Sequence, residues 1–237
     1  MLLHYKADFL DLLAKLAIIN NEIVIRYEDG YAIVRHGTRV RNPLVYVRAW
    51  GDFFSIPNGE CVAFHDYSQF YNKFRAMDYP ELSLEKGRIV MTSDGRTATH
   101  NLANPALIPD VFMGQKNANL PSVEASTIFE DQFIRKMCNL AGANLFDANR
   151  VLFHFGKNDS YYMLHSTLHT NTYKEPINVG NFYSEDEQFS MDFDMALFTM
   201  LPIGYSYNVA ICKGGAMELD MFGTNGIACT LYLSRIA

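Results

Sequence analysis

Apolar residues recur along this chain with two periods. At helical spacing they give Phe9, Leu12, Leu13 and Leu16 near the start, and Phe70, Phe74 and Met77 within "FHDYSQFYNKFRAM", residues 64–77. Tyr67 and Tyr71 flank the second stripe, Lys73 and Arg75 lie off it, and Asp66 or Ser68 can cap its start. "EDQFIRKMCNLAGANL" repeats the helical pattern with Phe133, Met137 and Leu140 on its core face, and "DMALFTML" predicts a short fourth helix. The other period is two. Strands are predicted in "NEIVIRYED", "YAIVRHGT", "NPLVYVRAW" and "GECVAFHD" before the second helix, and in "PELSLEKG", "GRIVMTSDG" and "RTATHNLAN" after it. Lys86-Gly87 and Asp94-Gly95 mark hairpin turns. Further strands fall in "RVLFHFG", "DSYYMLHST", "TNTYKEPINV" and "EQFSMDFD", and three more, "YSYNVAICKG", "GAMELDMFG" and "GIACTLYLSRI", close the chain.

The order helix, four strands, helix, three strands is therefore read twice. Adding 128 carries Asp66 to Asp194, Phe70 to Phe198, Gly87 to Gly215 and Gly95 to Gly223. Helix starts, core aromatics and turn glycines have backbone or packing reasons to persist in a duplicated unit. The expectation is an α+β protein with two tandem similar domains, 1–104 and 123–237, joined by a linker over 105–122. Prolines, a glycine and asparagines break that linker, yet it carries Leu107, Ile108, Val111, Phe112 and Met113. Apolar residues in a linker predict that it lies against a surface.

Composition narrows the partners. The 237 residues are 49% hydrophobic, enough for one large core or two smaller ones, and the net charge is −6. That balance disfavours coating nucleic acid with the whole surface, but not a local basic strip. Cys61, Cys138, Cys212 and Cys229 form no C-x-x-C pair and read as buried free thiols in a reducing compartment. Lys6, Asp8, Asp11 and Lys15 interrupt any signal-peptide core near the start, and no apolar run approaches the roughly 18 residues that span a membrane. A soluble cytoplasmic protein is expected.

Catalytic signatures are lacking. There is no G-x-x-x-x-G-K-[ST], G-x-G-x-x-G or G-x-S-x-G. His165 and His169 are four apart in a strand-and-turn context, too far for one ion. Asp192 and Asp194 read as a strand end plus a helix cap, "SEDEQ" as a solvated loop, and Trp50 as a packed or loop residue. No nucleophile, base and oxyanion donor assemble, so a non-enzymatic protein without cofactor or metal is expected.

The chain resembles the DNA sliding clamps, most of all the trimeric processivity factors of tailed phages and more distantly proliferating cell nuclear antigen. The resemblance covers almost the whole chain. "LLAKLAIINNEIVIRYEDGYAIV" and "VAFHDYSQFYNKFRAMDYPELSLEKGRIVMTSDGRTATHNL" carry it in wording, and the second half follows in element order. It implies the DNA-clamp fold, with three subunits closing head to tail into a homotrimeric ring, helices lining the hole and sheets forming the wall. It also implies subunit contact through edge strands, here "RTATHNL" and a segment near "TLHTNTY".

On this resemblance the helix cations Lys6, Lys15, Lys73, Arg75, Arg135 and Lys136 face duplex DNA without regard to sequence. The fourth helix offers no cation, and Asp8, Asp11 and Asp131 dilute the wall. Weak contacts suit a protein held by topology. The resemblance further implies a pocket for short peptides of a DNA polymerase and a clamp loader ATPase. The matching positions are Leu107, Ile108, Val111 and Phe112 in the linker, with Met217, Leu231, Tyr232 and Ile236 beyond it. The alternative class is an α+β binding or viral assembly protein with no DNA role, which leaves the helix cations without a common purpose.

Overall fold

A computed structural model describes the chain except residues 1, 52, 55, 113–119, 143–147, 167–171, 223–224 and 237, and describes 2–4, 141 and 142 by backbone alone. The chain divides into two compact units, Met1–Asn117 with Thr224–Cys229, and Ala118–Gly223 with Thr230–Ala237.

In the first unit, helix α1 (Leu2–Leu16) precedes strands β1 (Ile23–Glu28), β2 (Tyr31–Gly37), β3 (Leu44–Trp50) and β4 (Cys61–Phe64). Helix α2 (Tyr67–Ala76) leads to β5 (Glu81–Glu85), β6 (Arg88–Ser93) and β7 (Arg96–Asn101). The first four strands form an antiparallel sheet in the order β3-β2-β1-β4, and the last three a meander β5-β6-β7. Asp94 and Gly95 both take positive φ (49° and 74°), the two-residue turn that Asp-Gly favours. Leu10, Leu13 and Leu16 of α1 are completely buried. Phe70 of α2 sits among Phe54, Phe64, Tyr67, Phe74 and His100, with ring centroids 4.7–6.3 Å away. The Tyr67 hydroxyl, buried in the same cluster, donates to the Leu10 carbonyl at 3.1 Å, whereas His100 Nδ1 is buried there without a hydrogen-bond partner among the described residues.

The second unit comprises β8 (Val123–Phe129), α3 (Asp131–Gly142), β9 (Arg150–Gly156), β10 (Tyr161–His165), β11 (Thr172–Pro176), β12 (Val179–Phe182), β13 (Gln188–Asp194), α4 (Met195–Thr199), β14 (Ser206–Cys212), β15 (Ala216–Phe222) and β16 (Ala228–Ser234). One sheet runs β11-β10-β9-β13, and β12-β8-β14-β15-β16 follow one another in the second. Phe129, Phe153, Tyr162, Phe193 and Phe198 are its buried ring cluster.

The offset of 128 holds well beyond the positions that suggested it. It carries β1 to 151–156, against Arg150–Gly156 for β9, and β6 to 216–221, against Ala216–Phe222 for β15. The order β3-β2-β1-β4 becomes β11-β10-β9-β13, strand for strand. Asp66 and Asp194 both cap, accepting from Gln69 N and Ala196 N at 2.9 Å. Phe70 and Phe198 are both fully buried, and Gly87 and Gly215 both take positive φ. Gly223 lies outside the described residues.

Three expectations change. "EASTIF", left outside the predicted elements, is most of β8, whose inward residues Ala125, Thr127 and Phe129 are buried. "TNTYKEPINV" is two strands, not one. The first ends at Pro176, Ile177 N still bonds Ser160 O at 2.9 Å, and from Val179 the chain pairs with β8 instead. The core face of α3 centres on Ile134 and Met137, both completely buried, while Phe133 and Leu140 are half-buried. Of the cysteines, Cys212 and Cys229 are buried, and Cys61 and Cys138 half-buried.

Candidate nucleic-acid interface

The start of α2 is pinned from both sides. Asp66 accepts from Asn21 Nδ2 at 2.7 Å as well as from the helix, and Asn21 Oδ1 accepts from Ser68 N and Oγ at 2.8 Å. At its other end, Lys73 and Arg75 occupy the last turn, where cations complement the helix dipole. The dipole is not their only partner. Lys73 Nζ donates to the Thr99 carbonyl of β7 at 3.1 Å. Arg75 donates to the Tyr79 hydroxyl and lies 4.0 Å from Asp11 of α1. Asp11 in turn accepts from the Tyr71 hydroxyl at 2.6 Å. Burial and then the carboxylate raise the Tyr71 phenol, and the Tyr71 hydrogen bond heads the causes that raise the Arg75 guanidinium.

The second unit repeats the theme. Arg135 Nε donates to Asp131 Oδ2 at 2.6 Å, one turn earlier on α3, and Asp131 Oδ1 accepts from Gly204 N at 2.6 Å. Lys136 donates to Glu175 Oε2 of β11, the oxygen that also accepts from the Tyr162 and Tyr173 hydroxyls. Lys136, followed by Tyr162, draws the Glu175 carboxyl down to about 2. Lys15 is exposed on the last turn of α1, and Lys6 is half-buried with its ammonium 6.0 Å from the Phe54 ring centroid. The helix cations thus sit among acceptors from their own chain. The Asp131–Arg135 pair was legible as an i, i+4 spacing. The Tyr71–Asp11 and Lys136–Glu175 pairs were not, since their members lie 60 and 39 residues apart.

Both segments expected at a subunit contact are open edges within their own sheets: β7 is terminal in β5-β6-β7, and β11 in β11-β10-β9-β13. Alternation along an antiparallel ladder fixes which groups face outward. Leu102 N bonds Gly87 O, so residues 97, 99 and 101 of β7 turn their peptide groups away from β6. Ile177 N bonds Ser160 O, so 172, 174 and 176 of β11 do the same. "TLHT", the start of the second segment, lies at 167–170, outside the described residues.

The residues expected to line a peptide pocket separate into two kinds. Val111 and Phe112 are buried in the first unit, Met217 and Leu231 in the second, as core side chains. Leu107 is 77% exposed, and Tyr232 and Ile236 are half-buried. Ile108 borders a small cleft of about 40 Å³ with Glu22, Arg26, Arg35 and His36. Met113 lies outside the described residues. Other candidate chemistry resolves into structure. His165 and Arg150 both pair with Asp192, at 3.1 and 3.4 Å, on one face of the sheet. His169 is outside the described residues, and Trp50 is an exposed end of β3. Among the described residues, no group of three histidine, cysteine or acidic side chains could hold a metal, and no helix is long and apolar enough to cross a membrane.

Two α+β units, each with two helices and antiparallel sheets of matching strand order, have the sliding-clamp fold. Solved clamps match it over nearly the full chain. Proliferating cellular nuclear antigen of Entamoeba histolytica superposes with a TM-score of 0.73 at 12% identity, covering 98% of this chain and 96% of that one. The A. fulgidus PCNA, solved with the C-terminal region of FEN-1, gives 0.70 at 12%, over 97% and 96%. The H. pylori beta clamp, in complex with 5-chloroisatin, gives 0.72 at 11%, with 96% of this chain spanning 63% of that longer one. No family model and no curated protein sequence matches the chain. At such identities the likeness establishes the fold.

Proposed function

We propose that this protein is a sliding clamp, a non-enzymatic ring that encircles duplex DNA and tethers a replicative DNA polymerase. The observation that carries the reading is the clamp fold, matched over 97% of this chain and 96% of the A. fulgidus PCNA. The open edges support head-to-tail closure: β7 of one copy pairs with β11 of the next, a heterologous contact that closes on itself. Three copies of a two-unit chain complete a homotrimer with six units. Lys6, Lys15, Lys73, Arg75, Arg135 and Lys136 then supply a thin, sequence-independent cationic lining on an otherwise acidic protein.

Lys73 and Lys136 also touch the two closing strands, through Thr99 O and Glu175, and so serve the subunit contact as well as the hole. Of the residues expected to take partner peptides, Leu107 and Ile108 in the first unit and Tyr232 and Ile236 in the second are reachable, whereas Val111, Phe112, Met217 and Leu231 are core side chains of their own units. Partner peptides come from the polymerase and from a separate ATP-driven loader, and the C-terminal region of FEN-1 bound to the A. fulgidus PCNA supports a partner-segment site on this fold. A likeness to the trimeric clamps of tailed phages and cytoplasmic action, in the host cytoplasm if the source is viral, complete the reading.

Light scattering on a sizing column across a concentration series tests it. A particle near 81 kDa, three times the 27.0 kDa chain, is the expected result, followed by polymerase stimulation on primed DNA. A strict monomer at every concentration removes the ring.

A further inference from the structure

Three of the four cations on the second and third helices are held by carboxylates of the same chain: Arg75 by Asp11, Arg135 by Asp131 and Lys136 by Glu175. Two of these carboxylates lie on the helices themselves, Asp11 on α1 and Asp131 on α3, and neither is needed to neutralise a buried charge, because the arginines are about half exposed. Exposed pairs of this kind contribute only about 0–1 kcal/mol each, so a competing phosphate can displace them. Each carboxylate also accepts from a second donor. The Tyr71 hydroxyl holds Asp11 and the Gly204 amide holds Asp131. When the guanidinium swings away, the acceptor therefore stays in place, ready to take it back.

We propose that Asp11 and Asp131 are resident phosphate competitors. They exchange Arg75 and Arg135 with the DNA backbone, so that each contact is made at little net gain and released at little cost as the duplex slides. The inference rests on the clamp reading above and adds positioning residues to it. It also accounts for acidic residues on helix faces where a purely attractive lining has no use for them.

The test compares variants of the full chain by fluorescence anisotropy on a labelled linear duplex over a salt series. Asp11→Asn with Asp131→Asn keeps an oxygen acceptor for Tyr71 and Gly204 but no longer holds the arginines as ions. Affinity is expected to rise on the order of tenfold at low salt. The slope of log affinity against log salt is expected to steepen by about 0.9 for each arginine freed to a phosphate. A control, Glu185→Gln with Asp186→Asn, makes the same charge change in an exposed loop and is expected to have little effect. The gain should vanish when Arg75→Gln and Arg135→Gln are added, and unchanged native mass confirms that assembly is intact. Equal gains in the control and the test variant, or no gain while Arg75→Gln with Arg135→Gln weakens binding, overturn the competitor role and leave the clamp reading standing. No loss on removing the two arginines overturns both.

Discussion

The two units share one strand order, yet they finish their cores and charges differently. In the first, the segment after β3 is not a strand: it folds Phe53 and Phe54 inward, and Phe53 stacks on Phe9 of α1 at 4.5 Å. In the second, the position 128 residues on is β12, which adds a strand beside β8. The first unit has a five-residue-longer second helix and a denser ring cluster around it. The second has a larger sheet and a short α4 with no cation. One topology thus accommodates either extra rings or an extra strand at the same place in the chain order. The buried ionisable groups differ too. The first unit encloses His36, whose ring donates to the Leu16 carbonyl at 3.2 Å. The second relies on a half-exposed carboxylate, Glu175, gathering donors from a helix and two strands.

The largest expected effect is at the paired core aromatics. Phe70→Ala and Phe198→Ala should each destabilise their own unit by about 3–5 kcal/mol, with Phe70 the costlier because more rings surround it. Hydrogen exchange resolved by segment would read each unit separately. A larger loss at Phe198 would break the contrast in packing.

Acid should then separate the units. Burial lowers His36 to about 4 from 6.5, so the folded state resists a proton that the unfolded chain accepts. The stabilisation is complete above pH 6.5 and is lost as pH falls towards 4, on the order of 3 kcal/mol in the first unit. Glu175 is drawn down to about 2, so its contribution is present above the ordinary carboxylate range and is lost as pH falls towards 2. Segment-resolved exchange should show the first unit loosening at the milder pH. His36→Gln should flatten its loss between pH 6.5 and 4, and Glu175→Gln should flatten the second unit's loss at lower pH. The same profile in both units would remove the distinction.

The smallest effect is at the caps. Asp66→Ala and Asp194→Ala should each cost about 1 kcal/mol, more at Asp66, where the Asn21 bracket is lost as well. Chemical denaturation of the two variants checks the order, and equal losses would mean that the bracket adds nothing.

Much of this was legible locally. Asp66 and Asp194 announce helix starts by their own side chains, Asp94-Gly95 writes its turn, and the repeat offset emerged from those few positions because backbone demands conserve spacing. The site was legible only as residue types. Lys73, Arg75, Arg135 and Lys136 could be placed off the apolar stripes, but not given their partners, since a hydrogen bond between residues 60 apart in sequence leaves no periodic trace. Likewise Met217 and Leu231 look the same in a sequence whether they end in a groove or in the core.

Sequence alone therefore determined the α+β class, the repeated order of elements, the helix caps and hairpin turns, and which helices bear cations, because each depends on periodicity or on a residue's own backbone. Tertiary structure decided the rest: that one apparent strand divides between two sheets, that β7 and β11 end their sheets, and that Arg75, Arg135 and Lys136 face carboxylates of their own chain. Those outcomes depend on which distant segments share a ladder or a helix groove, and burial of apolar surface fixes that partnership for the fold as a whole rather than for any stretch of it.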